Sequence, residues 1–130
     1  MNPTNLKYAK SHEWAKLEGD IATIGISDHA QESLGDVVFV ELPGKGVKIS
    51  AGKSFGTVES VKAVSEINAP VSGEIIEFNQ TVLDSPDILN SDPYGDGWLI
   101  KIKVEVEDLT AINLLMDAED YERYLAEEEH

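Results

Sequence analysis

Six short runs dominated by β-branched and apolar residues, set apart by turn clusters, leave this chain few folds. They are IATIGI (21–26), VVFVEL (37–42), GTVES (56–60), SEINA (65–69), GEIIEF (73–78) and WLIKIKVE (98–105). Residues branched at Cβ lose rotamer freedom in a helix and suit a pleated surface. The last run alternates cleanly: Trp98, Ile100, Ile102 and Val104 fall on one face, and Lys101, Lys103 and Glu105 on the other. A period of two predicts a half-buried strand. Many short strands divided by turns predict an all-β sandwich or barrel.

The turns are well marked. LPGKG (42–46) holds a proline and two glycines, NAPVSG (68–73) sets Pro70 between two strands, and NSDPYGDG (90–97) reads as a loop. Proline cannot donate to a ladder, so it belongs outside a central strand. Helices are few. SDHAQESLG (27–35) suits one short helix, with Ser27 or Asp28 as the N-cap and Gly35 closing it. From about Asp108 the character changes. Leu109, Ile112, Leu115 and Met116, then Tyr121, Tyr124 and Leu125, recur at helical spacing. Asp117, Glu119 and Asp120 suit a helix N-terminus, and the closing EEEH is expected to fray. With 130 residues and no tandem repeat, one domain over 1–130 is expected. Its core spans about 21–105, and a helical segment spans about 108–128.

Composition excludes several functions. Without cysteine there is no disulfide, thiolate metal site or cysteine nucleophile. A formal charge of −15 repels nucleic acid and anionic membranes and favours partners with positive patches. No apolar run is long enough to span a bilayer. The start has neither a secretory nor a transit pattern.

Motif by motif, no self-contained active site emerges. AGKSFG (51–56) carries the Gly-Lys-Ser of a phosphate loop. However, five residues separate Gly46 from Gly52 where four are needed, and a strand follows in place of a helix. His12, His29 and His130 show no metal-ligand spacing in sequence. There is no Gly-x-Ser-x-Gly elbow.

Lys62, in ESVKAVSE (59–66), stands out as a lone cation in acidic surroundings. A helix would place Glu59 and Glu66 three and four residues away, for pairs worth about 0.2–0.5 kcal/mol each. A hairpin would put Lys62 at or near its tip. Local pattern leaves both open, and an ordinary solvated lysine is the default.

The surroundings of Lys62 go further. GTVESVKAVSEINAPVSGEI (56–75) resembles the lipoyl-lysine region of the glycine cleavage system H-protein family. YAKSHEW (8–14), IATIGISDHAQESLGDVVFVELP (21–43), DPYGDGWLIKIK (92–103) and AEDYERYL (118–125) resemble the matching parts, in order, across nearly the whole chain. The resemblance implies a mainly β fold: a flattened barrel-sandwich hybrid of two antiparallel sheets, lipoyl-domain-like, with a short internal helix and a C-terminal helix. It implies lipoate joined by an amide to Lys62, on a tight hairpin. It implies a non-catalytic, monomeric shuttle that carries the aminomethyl group of glycine from a pyridoxal-phosphate glycine decarboxylase to an aminomethyltransferase. Dihydrolipoamide dehydrogenase would reoxidise the arm, and a lipoate ligase or lipoyl transferase would attach it. Ser11, Glu13 and Glu66 resemble contacts of the loaded arm; the ligase must also recognise the hairpin, where Glu59 is a candidate contact. The location would be cytoplasmic in a bacterium, or the mitochondrial matrix for a mature imported form.

Other readings stand beside it. A lipoyl domain of a 2-oxoacid dehydrogenase would lack the SHEW segment and the C-terminal helix. A biotin carrier flanks its lysine with methionines, whereas Val61 and Ala63 stand here. A lipoate-relay protein would not be served by glycine decarboxylase, and an enzyme would turn over without lipoate.

Overall fold

The structure is a computed structural model that describes residues 2–128. In chain order it comprises β1 (Lys7–Tyr8), β2 (Glu13–Glu18), β3 (Ile21–Ile26), α1 (Asp28–Leu34), β4 (Val37–Glu41), β5 (Lys48–Ile49), β6 (Ser54–Ser60), β7 (Val64–Asn68) and β8 (Gly73–Phe78). Then come α2 (Gln80–Asp84), α3 (Ile88–Ser91), β9 (Ile100–Lys103), α4 (Val106–Leu109), a 3-10 turn (Thr110–Leu114) and α5 (Ala118–Glu128). Among the described residues the strands form two antiparallel sheets. One is six-stranded, in the order β1-β2-β3-β9-β8-β5, and the other three-stranded, β4-β6-β7. No ladder joins them there, so the sandwich does not close into a barrel.

All six expected runs contain strands. The run at 98–105 narrows to Ile100–Lys103, and its inner face differs from expectation at one end. Ile100, Ile102 and Val104 are buried in the main core beside Ile24, Ile75 and Val71. Trp98 instead packs against the aromatic cluster of Tyr8, Trp14 and Tyr121, because it precedes the pleated segment. Leu99 fills the second core with Val58, Ile67 and Leu89. The loop expected at 90–97 begins later, since Asn90 and Ser91 end α3.

β2 is built against its own composition. EWAKLE favours helix, yet all six residues pair with β3, from Glu13 opposite Ile26 to Glu18 opposite Ile21. Both faces of its first half are covered. Ala15 enters the main core and Trp14 enters the aromatic cluster. Gly25 lies opposite Trp14, and a Cβ there would stand 2.6 Å from the indole ring.

The helical segment at 108–128 is not continuous. Met116 exchanges backbone hydrogen bonds with Tyr8, at 2.7 and 2.9 Å. That bridge takes up groups a helix would need and breaks it between the 3-10 turn and α5. α5 restarts from Asp117, whose carboxylate accepts from the Asp120 N–H at 2.8 Å. Of the EEEH expected to fray, Glu127 and Glu128 close α5; Glu129 and His130 lie outside the described residues.

Candidate functional site

The hairpin between β6 and β7 settles the two local readings of Lys62: the segment is not a helix. Val61, Lys62 and Ala63 connect the two strands, and the Ser60 N–H donates to the Ala63 carbonyl at 2.8 Å. Tight hairpins usually need positive φ at their centre, but among the described residues His12 alone, besides glycines, has it. Ser60 provides the alternative. Its hydroxyl accepts from the N–H groups of Lys62 and Ala63, at 3.3 and 3.1 Å, so a side chain closes the turn. The Val61 N–H donates to the Asp36 carbonyl at 3.0 Å and ties the tip to the segment after α1. The Lys62 stem passes over Gly35, where a Cβ would lie 3.3 Å from Cε. Lys62 is exposed. Among the described residues no carboxylate reaches its ammonium as an ion pair.

Beside the hairpin lies an open cleft of about 310 Å³. One wall is Ala63–Ile67, running directly on from Lys62. The second is α1, through His29, Ala30, Ser33 and Leu34. The third is Ser11–Glu13. α1 is fixed by Ser27, whose hydroxyl accepts from the Ala30 N–H at 3.2 Å, so Ser27 and not Asp28 is the cap. The third wall depends on His12. The His12 N–H donates to the Ala9 carbonyl and the Ala9 N–H to the Glu13 carbonyl, each at 2.9 Å. With φ 77° at His12, this is a turn followed by a left-handed residue, a form that joins antiparallel strands. It starts β2 with Glu13 on the same side as Ala15, the core side.

Glu13 is therefore only 2% exposed. Ser11 donates its hydroxyl to one carboxyl oxygen, and the Asn68 N–H donates to the other at 3.0 Å. Since Asn68 ends β7, the carboxyl bridges the two sheets. Burial pushes its pKa up to about 7, against the opposing pull of those two hydrogen bonds. Glu13 thus titrates well above the ordinary carboxylate range, in a cleft floored by Ile26, Val58 and Ile67. The arrangement suits a ligand with an apolar stem and a cationic tip.

Of the residues singled out in the sequence, Ser11, Glu13 and Glu66 share this cleft, and Lys62 stands at its end. Glu59 does not line it. It is exposed on the outer face of β6, in a cross-strand row between Phe39 and Val64. The sequence reading missed His29, Ala30 and Ser33 of α1 and the backbone N–H of Asn68. Only proximity in the fold reveals them, although the cap at Ser27 fixed the helix that carries three of them. His12 and His29 have no metal-ligand spacing in sequence, yet their rings lie 4.8 Å apart, centroid to centroid.

Fold and hairpin together define a class: a small two-sheet carrier domain of the lipoyl type, which displays a lysine on a tight turn. Comparison with known proteins narrows this. The family described as glycine cleavage H-protein matches residues 6–128. A glycine cleavage system H protein of Carboxydothermus hydrogenoformans is 56% identical over 126 residues, covering 97% of this chain and 95% of that protein. The mitochondrial glycine cleavage system H protein 2 of Arabidopsis thaliana is 54% identical over 125 residues, covering 96% and 79%. A crystal structure of a glycine cleavage system H protein from Mycobacterium marinum superposes with a TM-score of 0.83 at 39% identity, covering 98% of this chain and 99% of that one. The chain belongs to the glycine cleavage H-protein family. Its function is that of the family's lipoyl-carrying shuttle, working with the other components of the glycine cleavage system.

Proposed function

We propose that Lys62 carries the lipoyl arm and that the cleft beside it shelters the loaded end. The observation supporting this is the junction itself: an exposed amine at a hairpin tip, one residue before a wall of the cleft that holds the buried Glu13 carboxyl. The residues present fit the group. Acylating Lys62 removes a charge that no neighbour requires. The apolar floor suits a hydrocarbon chain, and the carboxyls suit an amine. When bound, lipoate supplies the dithiol that holds the aminomethyl cargo of glycine between enzymes.

The chain's own residues hold and protect. Glu13 accepts a charge-assisted hydrogen bond from the cationic cargo, worth about 1.5–3 kcal/mol. Ser11 orients that carboxyl. Glu66, exposed on β7, offers a second carboxylate at the rim, and Ile26, Val58 and Ile67 exclude water. The protein performs no chemical step, so it is a non-catalytic, single-domain, monomeric carrier over residues 1–130. Its partners are the pyridoxal-phosphate glycine decarboxylase, the aminomethyltransferase and dihydrolipoamide dehydrogenase. Tethering gives each an effective arm concentration of roughly millimolar. Glu59, on the outer face beside the tip, is a contact for the lipoate ligase or lipoyl transferase. The compartment is the bacterial cytoplasm, or the mitochondrial matrix for an imported form.

Intact mass after incubation with lipoate and its ligase tests the attachment. The wild-type chain gains one lipoyl group, and Lys62→Arg, which keeps the charge but cannot form the amide, gains none. Equal gain in both would move the site elsewhere.

A further inference from the structure

Three side chains far apart in sequence meet at the rim of the cleft. His12 comes from the turn before β2, His29 from the first turn of α1 and Glu128 from the last turn of α5. One ligating atom from each lies within 4.8 Å of the others. We propose that His12, His29 and Glu128 form a binding site for a divalent cation of the zinc type, with α5 clamped to the cleft wall when it is occupied.

The donor set is the first support. Two imidazoles and one carboxylate form a common three-ligand zinc set, which leaves a fourth position for water. The spacing is the second. A tetrahedral centre with bonds of about 2.0–2.1 Å sets its ligand atoms roughly 3.4 Å apart. His12 Nε2 and Glu128 Oε2 are 3.4 Å apart. The wider gaps close by rotation of His29 and Glu128, which are both partly exposed.

The surroundings of His12 are the third. Its Nδ1 is 2.8 Å from the Tyr121 hydroxyl, which lies 2.7 Å from the Ser27 hydroxyl. With Nδ1–H donating to Tyr121, Nε2 keeps its lone pair on the side of Glu128. Such a hydrogen bond to the far nitrogen is the support that ligating histidines usually have. Two imidazoles facing a carboxylate on a chain of charge −15 make a site that attracts a cation. None of this depends on what Lys62 carries.

The test uses the full-length, unlipoylated chain, freed of metal by a chelator that is then removed, with Zn²⁺ followed by calorimetry and Co²⁺ by its visible spectrum. The expected result is one equivalent bound, with a tetrahedral Co²⁺ spectrum. His29→Ala and Glu128→Gln each weaken binding by about tenfold or more. Both weakening variants lie at the surface, and circular dichroism verifies their folds. The inference is overturned by either of two results: no binding to the wild type, or several weak equivalents indifferent to His29 and Glu128.

Discussion

Replacing Glu13 by glutamine should stabilise the protein at neutral and alkaline pH, although it removes a polar group that makes two hydrogen bonds. Glutamine keeps both contacts: its carbonyl accepts from the Asn68 N–H and its amide donates to the Ser11 hydroxyl. What it removes is ionisation. The Glu13 carboxyl titrates at about 7 in the folded protein, against 4.5 as the ordinary value. Below pH 4.5 it is protonated in both states and makes no difference. Between 4.5 and 7 the unfolded chain has lost the proton that the folded chain retains, so stability falls as pH rises. Above 7 the full penalty applies. At about 1.4 kcal/mol per pH unit it comes to about 3 kcal/mol, or on the order of 10 °C in midpoint for a domain of this size.

The assay is urea unfolding of the unlipoylated wild type and Glu13→Gln across the pH range, in a chelating buffer. Their difference isolates this group from the other carboxyls. His12, His29 and Glu66 line the same cleft and Tyr121 lies close to it; all are common to both proteins and cancel to first order. The difference should be small and flat below pH 4.5, grow in favour of glutamine up to about 7, and then level off. A difference that is flat throughout, or a variant less stable at pH 8, would refute the reasoning.

Three further outcomes follow from the same geometry. Gly25→Ala should lose about 1–3 kcal/mol in thermal or urea unfolding, since its methyl would stand 2.6 Å from the Trp14 ring in a packed aromatic cluster. Ser60→Ala should slow lipoylation by the ligase and cost about 0.5–1.5 kcal/mol of stability, because two N–H groups of the turn lose their acceptor; unchanged kinetics would mean that the ligase does not need the turn preformed. Association with the partner enzymes, followed by calorimetry, should weaken as salt rises, as screening of a surface with net charge −15 requires.

The strands were legible because their side chains alternate or branch at Cβ, and that pattern survives tertiary context. β2 was not, since its first half is covered on both faces, by an indole and an alanine, and leaves no alternation, and its glutamates and lysine suit a helix. The C-terminal helix was half legible. Its periodicity is real, but the bridge from Met116 to Tyr8 competes for the same backbone groups, and a local pattern cannot show a partner 108 positions away. For Lys62, local periodicity could not separate helix from hairpin, because the deciding group is the Ser60 hydroxyl. A serine signals a turn only when its neighbours are already known to be strands.

Glu13 shows why a site can be illegible to composition and still be physically definite. A glutamate in a chain with 25 acidic residues reads as solvated surface. One residue of positive φ, at His12, sends it to the core side of β2 instead, where ionisation costs stability. That cost also fits the proposed use. A cation entering the cleft favours the carboxylate, so binding it recovers part of what burial took away and expels the proton that Glu13 holds near neutrality. The empty protein is then the less stable form above pH 7, and the loaded protein the more stable. A fully solvated carboxylate would offer weaker attraction, because water would screen it, and a permanently protonated one would offer no charge. On the proposed function, the intermediate state, buried yet bonded to Ser11 and Asn68, lets one side chain remain tolerable when the cleft is empty and become a counter-ion when it is full.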